Sequence, residues 1–322
     1  MPGFDVYGPP DFGREPDWLP RELAGHSAVR LSQSFIEAWR KCPRSAVAER
    51  RPTYGLAAAE GIAAHSIVDR RIAAQAANDE IDAAAAAEKV AELVGHGWTP
   101  PEGFIERATA KANVLTNLYL DLYHQYQPNI ETEVSGMMIF DVRDDPRTAA
   151  EFIIITGTAD LVVTIPDTDH RVGVDWKTGT TMPEPWEVQR YGVQQRVYSP
   201  MFDLDEMVFH YPLALNPLDG SKGHWVAQRY KGIVRCEADA PTRERYRQQI
   251  VEECVPISDR LLRSSDPFDH DIRPTGWHCS AKWCQVFARG ECLGVHREVA
   301  WVDKSLREAG EDVNAIQTRR TT

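Results

Sequence analysis

Two aspartates and a lysine stand at spacings where they could hold a divalent metal ion beside a phosphodiester. Two β-branched runs flank the turn-forming sequence Pro-Asp-Thr-Asp at 166–169, a pattern typical of a β-hairpin. A hairpin symmetric about this turn places Asp160 directly opposite Asp175, where Cβ atoms lie about 5 Å apart. Because side chains alternate along a strand, Lys177 shares the face of Asp175. The register therefore predicts one face that carries two carboxylates and an amine.

These groups have a chemical use in common. Opposed carboxylates repel each other, and a bound Mg²⁺ or Mn²⁺ removes that repulsion, since both ions prefer hard oxygen ligands. The side chain of Trp176 should point to the other face, which leaves its backbone carbonyl to face the site. For so short a motif, the alternative is a turn residue at Asp160 and a surface ion pair between Asp175 and Lys177.

The sequence around this motif is more specific than the motif itself. A Gly-Thr-Ala-Asp sequence ends at Asp160, an Asp-Trp-Lys-Thr-Gly sequence begins at Asp175, and a predicted helix then carries Gln194 and Tyr198 in a QxxxY spacing. Here the chain resembles the PD-(D/E)XK nuclease superfamily, in particular its RecB-like branch. The resemblance implies that Asp160 and Asp175 are metal ligands and that Lys177 is the catalytic lysine. It also implies that Gln194 and Tyr198 lie beside the site and contact DNA.

A second match lies in the N-terminal third. The sequence SQSFIEAWRKCPR at 32–44, followed by Gly61-Ile-Ala-Ala-His65, resembles the opening of RecB-like exonucleases that carry an iron–sulfur cluster. These include the CRISPR-associated exonuclease, the AddB nuclease domain and phage relatives. The histidine of their GxxxH segment is a metal ligand, which implies that role for His65. Composition alone predicts a helix over 57–74 that carries this imidazole, and a hydrogen-bonded core or surface histidine is the alternative.

Three of the six cysteines are close together in the sequence. Cys279, Cys284 and Cys292 lie within fourteen residues as C-x4-C-x7-C, and the chain begins without a recognisable secretory signal. This pattern favours metal or cluster ligation over disulfides. The family resemblance implies a 4Fe–4S cluster whose fourth ligand is Cys42.

The cysteine spacing also leaves another ligand set open. It is looser than the C-x2-C usual in the family, and His278 or His296 could complete a zinc site instead. Cys236 and Cys254 have no partner at a ligand spacing and are expected to be ordinary buried thiols.

Net charge weighs against tight coating of long DNA. The chain has 36 basic and 48 acidic residues, a net charge of −12. Basic residues nevertheless outnumber acidic ones over 30–51 and 221–247, which could provide local phosphate contacts. No apolar run is long enough to span a bilayer, so we expect a cytoplasmic protein without membrane association.

The secondary-structure patterns predict an α/β fold with a restriction-endonuclease-like α-β-β-β-α-β core and a mixed sheet. An N-terminal helical insertion and a C-terminal cysteine-cluster segment would be added to this core. The third helix is alanine-rich and is predicted to be a mobile or lid-forming insertion. Helices are predicted at 32–49, 57–74, 79–94, 105–125, 184–199 and 242–262, and strands at 130–140, 151–165, 171–175, 206–215 and 225–234.

Five regions follow from this pattern. They are a flexible N-terminal arm (1–30), a helical region with Cys42 and His65 (31–128), the nuclease core (129–264), the cysteine-cluster segment (265–300) and a polar C-terminal tail (301–322).

The sequence therefore predicts a hydrolase, a DNA exonuclease that depends on Mg²⁺ or Mn²⁺ and has a structural 4Fe–4S cluster. It would act on single-stranded DNA or DNA with free ends, in recombination, replication or end processing. No Walker loop is present, so unwinding would need a helicase or recombination partner. Glu133, on the first core strand, is a further candidate for the site. The alternatives are a DNA-end-binding subunit of a larger complex and a zinc-stabilised nucleic-acid-binding module without catalysis.

Overall fold

The structure, a computed structural model, describes residues 4–8, 16–48, 56–75, 79–95, 98–179, 192–212, 232–264 and 266 of the chain. The chain divides into two compact units. Unit 1 comprises 1–51, 139–155 and 252–322, and unit 2 comprises 52–138 and 156–251.

The described residues form seven α-helices and seven β-strands. The helices are α1 (Gln33–Lys41), α2 (Pro43–Ala48), α3 (Leu56–Ala74), α4 (Asp79–Gly95), α5 (Phe104–Leu122), α6 (Val193–Met201) and α7 (Ala240–Arg263). The strands are β1 (Phe4–Tyr7), β2 (Ala28–Ser32), β3 (Ile130–Asp141), β4 (Phe152–Ile165), β5 (His170–Trp176), β6 (Glu206–His210) and β7 (Ile233–Glu237). Short 3₁₀ helices lie at Arg21–Leu23 and His124–Tyr126.

The strands belong to one mixed sheet in the order β1-β2-β4-β5-β6-β7, with β3 also paired to β4. The β4–β5 and β6–β7 pairs are antiparallel, whereas β5 and β6 are parallel. The parallel pair is joined by a crossover that contains α6, as parallel strands require. The sequence of elements from α5 to β6 is α-β-β-β-α-β, which confirms the predicted restriction-endonuclease-like core.

The hairpin register is the one that the turn sequence predicts. Leu161 pairs with Val174, and the ladder continues to Ile165 opposite His170. Asp160 and Asp175 occupy the next positions of this register. The turn is tight, and Asp167 adopts a left-handed φ of 69°, a conformation that Asp tolerates better than most residues.

Unit 2 has an apolar core between helices and one face of the hairpin. Leu161, Val163, Val172, Val174 and Trp176 are buried in the same cluster as apolar residues of α3, α4 and α5. Alternation then places Asp160, Asp175 and Lys177 on the opposite side of their strands. The predicted orientation of the Trp176 side chain is therefore confirmed.

Helix α4 differs from the mobile or lid-forming insertion that its composition predicts. Ala85, Ala86 and Leu93 are buried in the core of unit 2. A buried ion pair between Arg71 and Asp82 also connects α3 with α4. Small alanine side chains allow close helix packing here, so α4 is an integral layer of this unit.

Three corrections concern unit 1. Residues 4–7, expected in a flexible arm, form β1, which pairs antiparallel with β2. Asp5 is the register partner of Arg30, and their side chains form an ion pair. The boundary expected after residue 30 falls inside β2. The single helix predicted over 32–49 is two helices, because the residue before a proline is disfavoured in helical conformation. Cys42, before Pro43, is extended at φ −160° and ψ 110°.

Other predicted elements are described only in part. The helix predicted over 184–199 begins at Val193, after the non-helical Gly192, and runs to Met201. The strand predicted over 206–215 ends at His210, with residues 211–212 outside it, and the strand predicted over 225–234 begins at Ile233, after Gly232, and runs to Glu237. The rest of these three predictions, at 184–191, 213–215 and 225–231, lies outside the described residues. None of the described helices combines the length and apolarity needed to cross a membrane.

Candidate active site

The end of the β4–β5 hairpin brings the predicted carboxylates together. Asp160 Oδ2 accepts a hydrogen bond from the backbone N–H of Trp176 at 2.7 Å, which fixes this carboxylate across the strand pair. Asp160 Oδ1 lies 3.2 Å from His65 Nδ1. One carboxylate therefore joins the hairpin to α3, and the GxxxH histidine lies where the resemblance implies.

A glycine explains how α3 comes this close. A Cβ on Gly61 would collide with the Oγ1 atom of Thr178, the residue that follows Lys177. The glycine of GxxxH thus lets the helix approach the end of β5. His65 lies one helical turn further along and reaches the carboxylate of Asp160.

Lys177 is held on both its backbone and its side chain. Its N–H donates to the carbonyl of His210 at 2.8 Å, and its Nζ lies 2.6 Å from Asp175 Oδ2. The same Nζ donates to Gln194 Oε1 at 2.7 Å. Gln194 Nε2 in turn donates to Asp175 Oδ1. These three side chains form a closed triangle.

Tyr198, one turn after Gln194, packs beside the same groups. A Cβ on Gly157 would collide with the Tyr198 ring, so the glycine of the Gly-Thr-Ala-Asp sequence leaves room for it. The hydroxyl contacts the side chain of Gln194 and the backbone of Thr158. Burial raises the pKa of Tyr198 above its ordinary value, and the charges of Asp175 and Asp160 raise it further.

Asp69 is a neighbour that sequence reasoning missed. It lies four residues after His65 on the same helix face, a spacing that could have revealed it. Its Oδ1 is buried without a hydrogen-bond donor among the described residues. Glu133, the further candidate from the sequence, lines the same cavity and adopts a left-handed φ of 48°, uncommon for a residue with a side chain.

The electrostatics reflect charges that are close together and buried. Burial would lower the pKa of His65, but Asp160 outweighs it, helped by Asp175 and Glu133, and raises this pKa to about 9. Burial opposes ionisation of Asp160, but His65 and the Trp176 N–H outweigh it and lower the pKa of Asp160. The proton therefore resides on His65 near neutral pH, and His65 must lose it before binding a metal.

The other carboxylates are driven towards protonation. Burial raises the pKa of Asp175, and the charge of Asp160 adds to this, against the opposing effect of Lys177. Burial also raises the pKa of Glu133, together with the charges of Asp160 and Asp69. Burial disfavours the ammonium of Lys177, yet Asp175 outweighs it and raises the pKa of Lys177. Excess negative charge is thus concentrated at one place in unit 2.

A cavity of about 730 Å³ opens onto this cluster. His65, Asp69 and Glu133 line it together with Trp176 and Lys177. Arg70 and Lys89 also line its wall, where Arg70 is ion-paired with Glu88, another lining residue, and Lys89 with Glu92. Such a cavity can admit an anionic ligand next to a cation-binding group.

The donor set fits a divalent cation in its chemistry. No group of three or more His, Cys, Asp or Glu side chains within the described ranges is already arranged to hold a metal ion. The side chains instead pair with one another, as His65 does with Asp160. The buried Oδ2 of Asp175 is paired with Lys177 Nζ at 2.6 Å, whereas the buried Oδ1 of Asp69 has no hydrogen-bond donor within those ranges. An oxygen of this kind is suited to a hard cation.

The cysteines are only partly within the described residues. Cys42 is half-buried in unit 1, at the end of α1, whereas Cys279, Cys284 and Cys292 lie outside. His278 and His296 lie outside as well. Cys236 and Cys254 are buried, as expected for ordinary core thiols, and burial raises the pKa of Cys236 to about 12.

Comparison with known proteins identifies the class. The family model for the PD-(D/E)XK nuclease superfamily matches residues 30–289, most of the chain. The chain therefore belongs to this superfamily.

Other comparisons add little. No curated protein matches the chain in sequence. A solved structure titled "Crystal structure of SSO0001" matches at 17% identity with a TM-score of 0.23, over 47% of this chain and 64% of that chain. The chain thus spans less than two thirds of that protein, and a likeness at this level carries no argument.

Proposed function

We propose that the protein is a metal-dependent DNA exonuclease of the RecB-like iron–sulfur branch, acting on single-stranded DNA or on DNA ends. The observation that carries this proposal is the meeting of His65, Asp160, Asp175 and Lys177 at the end of one hairpin. The exonuclease character and the cluster come from the resemblance of the sequence. A place in recombination, replication or end processing, with a helicase partner to unwind duplexes, is part of the same proposal.

Each residue has a proposed role in phosphodiester hydrolysis. His65, Asp160, Asp175 and the Trp176 carbonyl would hold Mg²⁺ or Mn²⁺, with Glu133 nearby. The bound ion would supply a water of lowered pKa and polarise a phosphoryl oxygen. Lys177 would orient the nucleophile and stabilise the negative charge that develops on the phosphate in the transition state. The mechanism forms no covalent bond between enzyme and DNA.

The phosphodiester would approach through the cavity that His65 and Lys177 line. Arg70 and Lys89 border it and would contact phosphates next to the scissile one by exchanging their ion pairs with Glu88 and Glu92. The resemblance assigns DNA contacts to Tyr198 and Gln194. Tyr198 is buried, so a contact with DNA would involve its hydroxyl edge.

The proposal includes a 4Fe–4S cluster held by Cys42, Cys279, Cys284 and Cys292. Cys42 lies more than two hundred residues before Cys279, so the cluster would close a long loop of the chain. Metal binding can contribute on the order of 10 kcal/mol to the folding of small domains. We therefore expect serine replacement of any of the four to remove iron and lower solubility.

Metal analysis and absorbance of anaerobically purified protein test the cluster. Iron with sulfide and a brown colour would support it, with Cys236→Ser and Cys254→Ser as matched controls that keep both. Full iron content in Cys42→Ser would overturn the fourth ligand and make His278 the candidate. Zinc without colour would overturn the cluster and leave the nuclease proposal standing.

Cleavage assays test the nuclease. Anaerobic protein is incubated with end-labelled single- and double-stranded DNA and with circular DNA, in Mg²⁺, Mn²⁺ or chelator. We expect metal-dependent release of label from linear DNA and no loss of closed circles. Nicking of circles would overturn the exonuclease assignment. DNA binding without cleavage in any metal would support an end-binding subunit instead.

A further inference from the structure

We propose that Gln194 is a positioning residue, which holds Lys177 and Asp175 in their working arrangement through the two ends of its amide. This inference rests on the proposed nuclease function. It assigns Gln194 a role different from the DNA contact that the family resemblance implies.

The contacts of Gln194 use both of its functional atoms. Oε1 accepts from Lys177 Nζ at 2.7 Å, and Nε2 donates to Asp175 Oδ1. The amide also contacts the hydroxyl of Tyr198. A primary amide has one acceptor oxygen and two N–H donors. Gln194 is therefore already engaged with protein groups on each side of its amide.

The amide is chemically matched to this position. Asp175 and Lys177 lie on one face of the chain at the end of β5, and their opposite charges attract directly at 2.6 Å. A third group between them must accept from an ammonium and donate to a carboxylate. A carboxylate at this position would repel Asp175, and an amine would repel Lys177. Only a side chain with both hydrogen-bonding functions satisfies both partners.

The position of α6 explains why the contact is geometrically stable. Val193, Val197 and Tyr198 are buried on this helix, so the half-buried Gln194 projects from a packed element. Tyr198 is seated against Gly157, which precedes Asp160 on β4. Sites supported by packed helices and a second layer of hydrogen bonds keep their geometry better than sites on loops.

The contacts of Gln194 affect both Asp175, the proposed metal ligand, and Lys177, the proposed catalytic lysine. Gln194 donates to Oδ1 of Asp175, while Lys177 Nζ lies 2.6 Å from Oδ2. The orientation of the carboxylate is thereby set before a cation binds. With Gln194 in place, the ammonium of Lys177 is shared between two acceptors, Gln194 Oε1 at 2.7 Å and Asp175 Oδ2 at 2.6 Å. Loss of the amide should therefore slow the chemical step rather than weaken DNA binding.

The test compares Gln194→Ala and Gln194→Met with the matched control Gln248→Ala. Gln248 is an exposed glutamine of α7 whose amide also donates to a carboxylate, that of Glu244. Single-turnover cleavage in Mn²⁺ is measured, along with DNA affinity in Ca²⁺, Mn²⁺ affinity by calorimetry and thermal unfolding. Gln194→Met keeps the side-chain volume and guards against a folding defect.

We expect both Gln194 variants to lose on the order of 10²-fold in kcat, since small misplacements of reacting groups cost about this much. DNA affinity in Ca²⁺ should stay within about twofold, and the Gln248 control should match the parent protein. Adding Gln194→Ala to Lys177→Ala should cost less than Gln194→Ala costs in the parent protein, because part of the glutamine's effect acts through the lysine.

Other results would distinguish a failure of this inference from a failure of the proposed function. A loss of DNA affinity with unchanged kcat would overturn the inference and restore the family's DNA contact. Multiplying losses in the double variant would also overturn it, since Gln194 would then act independently of Lys177. An inactive parent protein in both Mg²⁺ and Mn²⁺ would overturn the proposed function itself, together with the inference built on it.

Discussion

Helix α3 carries two clusters of buried charge that differ in how completely their polar atoms are paired. Arg71 donates to both oxygens of Asp82, at 2.8 and 2.5 Å, and to the side chains of Thr116 and Asn113. Less than two turns earlier, His65 faces Asp160 in a cluster where a buried oxygen of Asp69 has no hydrogen-bond donor in the described part of the chain.

The difference in pairing indicates that the Arg71 cluster stabilises the fold and that the Asp160 cluster is suited to chemistry. A buried charge is costly unless it is paired and hydrogen-bonded, and the Arg71 cluster meets this requirement while connecting α3, α4 and α5. The cluster around Asp160 retains repulsion between carboxylates and shifted pKa values. Such incomplete pairing is typical of functional sites, which need an external ligand to complete them.

The largest expected effect is on catalysis by the incompletely paired cluster. Lys177→Ala and Asp175→Ala should each lower the cleavage rate by about 10³-fold or more, because they remove transition-state stabilisation and a metal ligand. Thermal unfolding should remain cooperative, since neither side chain belongs to the apolar core. Cleavage by either variant at the parental rate would contradict the assignment of the active site.

The next effect is on stability, at the fully paired cluster. Asp82→Ala leaves Arg71 buried without its carboxylate and should cost about 3–5 kcal/mol of unfolding free energy. Denaturant titration measures this loss, and cleavage well below the unfolding midpoint should persist. Replacing both partners, as Arg71→Met with Asp82→Leu, should recover much of the stability. A mild effect of Asp82→Ala would show that this pair is not what attaches α4.

A smaller effect on cleavage is expected from replacing the proposed metal ligands His65 of α3 and Asp160 of β4. His65→Ala and Asp160→Ala should raise the Mn²⁺ concentration needed for half-maximal cleavage and also slow the saturated rate, since each removes one ligand. Metal titrations of the cleavage rate measure both quantities. A change in rate without a change in metal requirement would argue against ligation.

The smallest effect concerns a buried histidine behind the site. Burial lowers the pKa of His210 to about 4 from 6.5, and its Nε2 lies 2.7 Å from the Tyr123 hydroxyl. Because the folded state disfavours the charged form, its stabilising contribution is complete above pH 6.5 and is lost as pH falls towards 4. The loss amounts to about 3 kcal/mol at most. The unfolding free energy of His210→Gln should depend less on pH in this window, and an unchanged slope would contradict the pKa shift.

Much of the catalytic core could be predicted because its geometry is local. The Pro-Asp-Thr-Asp turn fixes the register of β4 and β5, and the register places Asp160 opposite Asp175. Asp69 and the amide bridge of Gln194 were not predicted, because they depend on how α3 and α6 pack against the hairpin. Strand β1 was missed because proline-rich surroundings obscured four residues that pair with β2. The packing of α4 depends on the Arg71–Asp82 contact, which periodicity does not reveal.

Calorimetric titration of the chelator-treated protein with Mn²⁺ tests the central claim most directly, that the incompletely paired cluster is a metal site. We predict saturable Mn²⁺ binding that weakens strongly in Asp160→Ala and Asp175→Ala, moderately in His65→Ala, and not at all in Asp82→Ala at a temperature where that variant is folded. Equal Mn²⁺ affinity in the parent and in Asp175→Ala, or no Mn²⁺ binding by the parent, would contradict it.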